Sequence, residues 1–132
     1  MKAYIAGALF RDADRTVIEQ IAEVCEDVGI ETFVPHVDAG VASDEMSDDE
    51  LAEIMKKDMQ GLNESEMIIA VLAGADVDSG TAWAMGYAVA QGKPVVGLID
   101  DVRLAASLNP TIALASELVD SLEELRETLE NV

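Results

Sequence analysis

Short, continuous apolar runs that alternate with helical patterns constrain this chain more than any other feature of its sequence. Residues 67–72 read MIIAVL, and an unbroken apolar run is typical of a strand that is buried on both faces of a parallel sheet. Similar runs predict strands at residues 4–8, 30–34 and 95–99, with a fifth short strand near Leu118. The alternation of these strands with helices predicts an α/β fold.

The segments between the strands carry the spacing of amphipathic helices. Apolar residues recur every three or four positions in residues 14–28, and Gly29 follows where a helix-terminating glycine belongs. Ser-x-x-Glu capping boxes, which satisfy the free amides of a first helical turn, predict where two later helices begin. Further helices are predicted at residues 48–62, after the box of Ser47 and Glu50, at 80–91, before Gly92, and at 122–130, after the box of Ser121 and Glu124.

Because every connection between predicted strands contains a helix, the sheet should be mainly parallel, with helices on both faces. We therefore predict a three-layer α/β sandwich around a mainly parallel five-stranded sheet, in a single domain that spans residues 1–132. Ligands of such sheets bind beyond the carboxyl ends of the strands, near a topological switch point. That edge comprises residues 7–12, 35–46, 73–80 and 100–110, and the part at 36–46 is predicted to be a polar loop.

The chain is strongly acidic, with a formal net charge of −19 from 8 basic and 27 acidic residues. A negative field of this size repels nucleic acid and anionic membranes, so neither is an expected partner. Two interpretations stay open: an ordinary acidic protein, or a protein from a high-salt cytoplasm. We favour the second, because self-repulsion is screened at a Debye length of about 3 Å in 1 M salt and the charge density is extreme for so short a chain.

Membrane and cysteine signals are both sparse. No apolar run is long enough to cross a membrane, and no basic-then-apolar signal precedes the first strand, so we expect a soluble cytoplasmic protein.

The single Cys25 excludes an internal disulfide and a cysteine-rich metal site. It falls on the apolar side of the first helix, which predicts a core thiol rather than a nucleophile.

Asp58 has an unusual position on the second long helix. Leu51, Met55 and Leu62 mark the predicted buried stripe, and at 100° per residue Asp58 falls within that stripe. A buried carboxylate is costly unless it is paired, hydrogen-bonded or lines a cavity. Asp58 is therefore a candidate catalytic residue, and the alternatives are a structural aspartate bonded to backbone or a helix rotated from this estimate.

Asp76 and Asp78 end the segment after the third strand, on the predicted ligand edge. Two aspartates at this spacing can act as an acid or hydrogen-bonding pair. One of them has a structural alternative, because Asp78 or Ser79 can cap the next helix. Asp-x-Asp also resembles a metal-binding pattern, but no third clustered ligand is evident, so we expect no metal.

Glycines and a helix start extend the candidate binding site. Gly80 lets a ligand approach the backbone closely, and the helix that begins with Gly80 and Thr81 favours an anion or a polar oxygen at its N-terminus. The spacing of a phosphate-binding P-loop is absent. Gly7, a lone glycine after the first strand, is insufficient by itself to predict a dinucleotide site, and we retain it as a candidate substrate contact.

Trp83, Tyr87 and His36 are the remaining candidates. Trp83 and Tyr87 lie one helical turn apart, a spacing that core packing explains more often than stacking on a flat base. His36 lies on the ligand edge, although most loop histidines have no special role. We include Trp83 and His36 among the candidate substrate contacts.

Three blocks of the chain resemble one protein family. YIAGALF at residues 4–10, KKDMQGLNESEMIIAVL at 56–72 and DSGTAWAMGYAVAQGKPVV at 78–96 are similar to blocks of the nucleoside 2-deoxyribosyltransferases and their N-glycoside hydrolase relatives. The third block is the most specific, and the likeness extends from Tyr4 to about Asn109. The resemblance implies a flavodoxin-like sheet, chemistry at the bond between a sugar C1′ and a nucleobase, no cofactor, and a homodimer or higher homo-oligomer.

The resemblance also implies roles for individual residues. Tyr4 matches an aromatic beside the substrate, and Asp58 matches an active-site aspartate near the base. Asp78 matches an aspartate that contacts the sugar. Asn109 resembles an asparagine that reaches a neighbouring subunit's site, although the residues around it diverge from the family pattern.

Position 84 departs from the family pattern. The pattern Gly-Thr-Ala-x-Glu-x-Gly-Tyr-Ala implies a glutamate there, which attacks C1′, expels the base and holds the sugar as a covalent ester that a second base or water then takes with retention of configuration. This chain has Ala84, whose methyl group cannot act as a nucleophile. The resemblance therefore implies a chain that binds a nucleoside or nucleoside monophosphate and a free nucleobase and barely reacts.

Two explanations of Ala84 stay open. One is a deliberate Glu→Ala substitution made to trap a bound substrate. The other is a natural relative that binds without turnover or reacts through another carboxylate, and a non-catalytic nucleoside-binding protein of flavodoxin-like fold is the alternative class. We favour the first, because Gly80, Thr81, Tyr87 and Ala88 keep the family pattern, whereas a pocket released from selection should drift.

Overall fold

The structure, a computed structural model, describes residues 1–8, 12–73, 77–99 and 108–132. Its strands are short and, in the middle of the sheet, almost wholly buried, as unbroken apolar runs require. The strands are β1 (Lys2–Ala6), β2 (Glu31–Phe33), β3 (Met67–Leu72), β4 (Val95–Ile99) and β5 (Glu117–Val119).

Helices connect the strands, and several of them begin at a side-chain cap. Ser47 and Glu50 form the predicted capping box, and the Ser121 side chain accepts from the Glu124 amide. Gly29 and Gly92 follow helices with positive φ values of 81° and 73°, which glycine adopts without steric cost. The helices are α1 (Asp12–Asp27), α2 (Pro35–Asp38), α3 (Asp48–Glu64), α4 (Ser79–Ala90), α5 (Pro110–Leu114) and α6 (Leu122–Glu130).

The five strands form one parallel sheet in the order β2-β1-β3-β4-β5. This is the strand order of flavodoxin-like folds, and the direction of winding reverses between β1 and β3. The predicted α/β fold with a parallel five-stranded sheet is therefore confirmed. The reversal matters for function because it separates the chain segments that leave β1 and β3 and opens a crevice between them.

Alternate side chains of β3 enter two apolar layers, one on each face of the sheet. Met67 and Ile69 pack in the layer covered by α1 and α6, whereas Ile68, Ala70 and Leu72 pack in the layer covered by α3 and α4. Cys25 is fully buried in the first layer, and burial raises the pKa of its thiol to about 11, as expected for an inert core residue.

Several predicted boundaries are corrected. β1 begins at Lys2 rather than Tyr4, and β2 has only three residues. The predicted polar loop at 36–46 begins inside α2, because Pro35 occupies a first helical position and the carboxylate of Asp38 accepts the Val34 amide at 2.7 Å. Most of the predicted loop at 100–110 lies outside the described residues.

Met55 does not belong to the buried stripe of α3. Its side chain is 56 % exposed, whereas Leu62 is buried and Ile54 and Met59 pack partly against the core. The buried face is therefore rotated from the prediction towards Ile54, and Asp58, one turn from both Ile54 and Leu62, stays within it and is half-buried. The error arose because an apolar residue such as methionine is compatible with either a buried or an exposed position on a helix, and only tertiary packing decides between the two.

Candidate active site

A cavity of about 240 Å³ opens at the carboxyl edge of the sheet, where the segments after β1 and β2 meet the start of α4. This is the edge predicted from the sequence, and it lies beside the switch point between β1 and β3. Helix α3 contributes a carboxylate from the side. The lining residues are Tyr4, Ala6, Gly7, Pro35, Val41, Ala42, Asp58, Asp78, Gly80, Thr81 and Ala84.

Tyr4 and Asp58 form a hydrogen-bonded pair in the wall of this cavity. The Tyr4 hydroxyl donates to Asp58 Oδ1 at 2.8 Å. Tyr4 is buried, and its ring stacks on Phe33 with 5.4 Å between ring centroids and 9° between ring planes. The parallel register of β1 and β2 pairs these two residues, so their rings stand side by side on one face of the sheet.

Burial changes the titration of both members of the pair. Desolvation raises the pKa of Asp58 above its ordinary value, and the hydrogen bond from Tyr4 lowers it in part. The pKa of Tyr4 is raised far above its ordinary range, first by burial and then by the charge of Asp58 and the hydrogen bond to it. Tyr4 therefore remains a proton donor in this hydrogen bond at neutral pH, and Asp58 is a carboxyl group suited to proton transfer.

Asp78 caps α4 and lines the cavity at the same time. Its Oδ2 accepts from the Thr81 amide at 3.2 Å and from the Thr81 hydroxyl at 3.3 Å. The structural and the functional interpretations of Asp78 are therefore compatible. The cap holds the Asp78 carboxylate at the N-terminus of α4, where the free backbone amides favour a polar oxygen.

A second cavity of about 250 Å³ adjoins the first on its α3 side. Met55, Met59, Leu62 and Trp83 give it a largely apolar wall. Trp83 is half-exposed and stacks on Tyr87, with 5.4 Å between ring centroids and 15° between planes. An apolar wall that contains an aromatic ring has the chemistry on which a planar ring can pack.

Among the residues that the structure describes, both cavities are lined by Tyr4, Asp58, Gly80 and Ala84. Ala84 is 4 % exposed and lies on the buried face of α4 with Thr81 and Met85. Its methyl group therefore lines both cavities at the place where they adjoin. A longer side chain at this position would project into the place where the two cavities meet.

The two candidate glycines differ in their surroundings. A Cβ at Gly7 would lie 3.1 Å from Ile18 Cδ1 and 3.3 Å from Val71 Cβ, so Gly7 is needed for close packing whether or not a ligand is present. Gly80 is exposed, and the nearest atom to a Cβ there would be Asp78 Oδ2 at 3.3 Å. Gly80 thus leaves the backbone at the start of α4 accessible from both cavities.

The other predicted site residues lie elsewhere. The His36 side chain is 8 % exposed and turns towards α1, with Nε2 at 3.5 Å from Glu19 Oε1. Asn109 is exposed and caps α5, where its Oδ1 accepts from the Thr111 amide at 2.9 Å. Ser79 is exposed and lines neither cavity, and Asp76 lies outside the described residues. Tyr87 supports Trp83 while its hydroxyl donates to Asn63 Oδ1 at 2.8 Å.

Sequence reasoning missed several residues of the walls. Pro35, Val41 and Ala42 line the first cavity and Met59 the second. Pro35, Val41 and Ala42 lie in segment 35–46, which was predicted to lie on the ligand edge. Apolar residues in a predicted loop carry no chemical signal that distinguishes the wall of a cavity from an exposed surface. Phe33, which supports Tyr4, could have been found from the pairing of neighbouring parallel strands.

The described residues contain no group of three or more His, Cys, Asp or Glu side chains that could hold a metal ion. Over the same residues, no helix combines the length and the apolar character needed to cross a membrane.

Comparison with known proteins identifies related chains. The family model for nucleoside 2-deoxyribosyltransferase matches residues 3–127. An uncharacterized protein of Schizosaccharomyces pombe is 32 % identical over 108 residues, which cover 76 % of this chain and 51 % of the relative. The chain thus spans about half the length of this curated relative.

Three solved structures share the fold over nearly the whole chain. A conserved protein from Enterococcus faecalis is 28 % identical, with a TM-score of 0.76 and coverage of 99 % of this chain and 98 % of that one. A 2-deoxyribosyltransferase from Bacillus psychrosaccharolyticus is 20 % identical, with a TM-score of 0.73 and coverage of 98 % and 96 %. A CMP N-glycosidase from Clostridium botulinum is 21 % identical, with a TM-score of 0.61 and coverage of 99 % and 98 %.

Proposed function

The chain belongs to the nucleoside 2-deoxyribosyltransferase family, and from that premise we propose that its two adjoining cavities bind one nucleoside or nucleoside monophosphate. The observation that carries the proposal is the wall of Tyr4, Asp58, Gly80 and Ala84 that both cavities share. A nucleoside has a polar part and a flat part joined by one bond. Two adjoining cavities with a common wall match that shape, because Asp78 and Thr81 line only the first and Trp83 lines only the second.

The sugar belongs in the first cavity and the base in the second. Asp78 and the start of α4 offer oxygen and amide partners to sugar hydroxyls. Trp83 and Met55 offer an apolar face on which a base can stack. The bond between sugar and base would then lie beside Asp58 and Ala84, which belong to both walls.

The parent reaction is cleavage of the N-glycosidic bond, with the sugar passing to another base or to water. Two of the structural neighbours have names that denote these outcomes: a 2-deoxyribosyltransferase for transfer of the sugar and a CMP N-glycosidase for cleavage of the bond. The resemblance implies a nucleophilic glutamate at position 84, where this chain has Ala84. Because a methyl group cannot form a sugar ester, the covalent route is closed and turnover should be lower by several orders of magnitude.

The same observation favours a second candidate, a nucleoside-binding protein without catalysis. Ala84 is buried in the wall of a cavity that Asp58 and Asp78 also line, as expected both for a disabled enzyme and for a binding protein. The two candidates differ in what a restored glutamate would do. In an enzyme that has lost only its nucleophile, a restored glutamate should regain activity, because the other catalytic groups are still present.

The test is Ala84→Glu, with Ala84→Gln as the matched control of equal size and no nucleophilic carboxylate. Release of free base from 2′-deoxynucleosides and nucleoside monophosphates is followed by chromatography. Binding to the unaltered chain is followed by the fluorescence of Trp83, which is the only tryptophan. Base release by Ala84→Glu and not by Ala84→Gln supports the enzyme, and binding without any release supports the binding protein. If no version binds or cleaves any of these compounds, both proposals fail.

Three further expectations from the sequence stay predictions. They are a homodimer or higher homo-oligomer in which Asn109 reaches a neighbouring site, a cytoplasmic location, and adaptation to high salt. The exposed position of Asn109 is compatible with the first of these. Sedimentation of the purified chain, with Asn109→Ala assayed for nucleoside binding, tests it.

A further inference from the structure

We propose that this chain hydrolyses its bound nucleoside by direct attack of water on C1′, with Asp58 as the general base, and so inverts the configuration at C1′. This inference rests on the proposed function and deepens it. It names the reacting groups of a site that has no nucleophilic side chain at position 84, and it assigns water as the acceptor of the sugar.

Room for the attacking water follows from Ala84. The alanine methyl lines both cavities, so the volume that a glutamate side chain would occupy beyond its Cβ belongs to the cavity instead. A water molecule takes a share of about 30 Å³ in the liquid and is held where two or more polar groups surround it. Asp58 and Tyr4 line the same two cavities and supply such groups.

Asp58 is better placed for this role than Asp78. Asp78 lines the first cavity only, and its Oδ2 is engaged by both the amide and the hydroxyl of Thr81. Asp58 borders both cavities, and Tyr4 donates to its Oδ1. In the described part of the chain no hydrogen bond to Asp58 Oδ2 is found, so this oxygen is the one that can accept a proton from water.

Tyr4 orients the carboxylate and does not compete for the proton. Its hydroxyl points at Oδ1, and its own pKa is raised so far that it keeps its proton at neutral pH. Among the described titratable groups, Tyr4 on β1 and Asp78 at the start of α4 share the cavity with Asp58. Burial makes Asp58 a stronger base than a surface aspartate, which brings it nearer to the range in which general bases work.

The water oxygen forms a bond to C1′ on the face opposite the base, and its proton passes to Asp58 Oδ2. The C1′–N bond breaks, its electron pair stays on the base nitrogen, and that nitrogen takes a proton from solvent. Asp58 returns its proton to solvent after the products leave. Because no sugar ester forms, a second base has nothing to capture, and the products are a free base and a free sugar of inverted configuration.

The experiment measures the stereochemistry of the product with the whole chain. A β-2′-deoxynucleoside is incubated with a high concentration of protein in buffer that contains methanol, whose glycosides do not interconvert, and the anomers are assigned by NMR. We expect the unaltered chain to give the α-methyl glycoside and Ala84→Glu to give the β-anomer. A β-product from the unaltered chain, or a transferred nucleoside when a second base is added, overturns the proposal.

Asp58→Asn and Tyr4→Phe test the assigned roles. Asp58→Asn retains an acceptor for the Tyr4 hydroxyl and should lower base release about 100-fold or more. Tyr4→Phe should move the rising limb of the pH–rate profile to higher pH, because it removes the hydrogen bond that lowers the pKa of Asp58. An unchanged rate in a folded Asp58→Asn variant overturns the proposal, and so does an unchanged limb in Tyr4→Phe.

Failure of this inference can be told apart from failure of the proposed function. If the unaltered chain binds the nucleoside but releases base no faster than buffer does, direct hydrolysis is excluded while the binding site stands. If Ala84→Glu is active at the same time, the parent reaction also stands. Only loss of binding and of Ala84→Glu activity together would remove the proposed function.

Discussion

The Tyr4 hydroxyl donates to Asp58 Oδ1 at 2.8 Å across 54 residues of sequence. The bond joins the first strand to the third helix and lies on the wall between the two cavities. It explains how a carboxylate is tolerated on the packed face of a helix, because a hydrogen bond offsets part of the cost of desolvation. It also couples the ionisation of Asp58 to a group that stays protonated.

Asp58→Asn should stabilise the fold at neutral pH. The folded-state pKa of Asp58 is raised above 3.8, so the carboxyl adds most stability when it is protonated, and that contribution is lost as pH rises through the folded-state pKa. Asparagine keeps the acceptor for Tyr4 without the charge. We expect a melting temperature higher by a few degrees at pH 7, with the difference shrinking towards pH 4.

The matched control for that measurement is Asp44→Asn, at an exposed position in the turn before α3. Scanning calorimetry of both variants between pH 4 and 8 separates a buried carboxylate from a general loss of negative charge. Equal stabilisation by the two substitutions would show that the environment of Asp58 is not the cause.

Asp78 should show two separable contributions, one to stability and one to binding. Asp78→Ala removes the helix cap and should cost about 1 kcal/mol of unfolding free energy. Asp78→Ser keeps a capping oxygen and removes the carboxylate, so stability should be nearly retained while nucleoside affinity falls. Urea unfolding and calorimetric titration measure the two quantities. Unaltered affinity in Asp78→Ser would remove Asp78 from the site.

Trp83 should contribute to binding far more than to stability. Its side chain is 52 % exposed, so Trp83→Ala loses less burial than the truncation of a core tryptophan would, but it removes the surface on which a base can stack. Loss of about 1–3 kcal/mol of stacking would weaken binding about 5- to 150-fold. Val89→Ala is the control, since Val89 is 46 % exposed on the same helix and lines neither cavity. Calorimetric titration should find Val89→Ala unchanged, and similar losses in both variants would contradict a base site at Trp83.

Gly61 and Gly86 should respond to alanine with opposite signs. A Cβ at Gly61 would lie 2.6 Å from the Phe33 ring, so Gly61→Ala must displace the ring that supports Tyr4 and should destabilise by about 1–3 kcal/mol. A Cβ at Gly86 would meet nothing within 4 Å, so Gly86→Ala should stabilise by about 0.5–1 kcal/mol through helix propensity. Phe33→Leu should restore part of the unfolding free energy that Gly61→Ala loses. Urea unfolding measures all the variants, and a stabilised Gly61→Ala or a destabilised Gly86→Ala would contradict the prediction.

Salt should stabilise the chain strongly. The net charge is −19, and few cations are available to offset it: Lys2 lies near Glu31 and Glu64, and Arg126 pairs with Asp27. Screening at molar salt shortens the Debye length to about 3 Å and weakens this self-repulsion. We expect cooperative melting to be lost below about 0.5 M KCl. A melting curve that does not change between low and molar KCl would exclude the high-salt adaptation.

Much of the site was accessible from local sequence patterns. Helical periodicity alone identified the unusual position of Asp58, and the place of Asp78 between a strand and a helix identified Asp78 as a candidate. Both line the predicted edge. His36 shared that edge in the sequence but turns towards Glu19, because the short helix α2 rotates it away from the cavity. Position along the chain does not specify side-chain direction.

The sequence by itself determined the alternation of strands and helices apart from α2, and the edge of the sheet at which the cavities lie, because apolar periodicity and capping residues are local properties. The tertiary structure alone decided that Tyr4 pairs with Asp58, that Met55 lines a cavity instead of the core, and that two cavities share one wall. These features depend on how elements far apart in the chain pack together. A hydrogen bond forms only where packing brings donor and acceptor within about 3 Å.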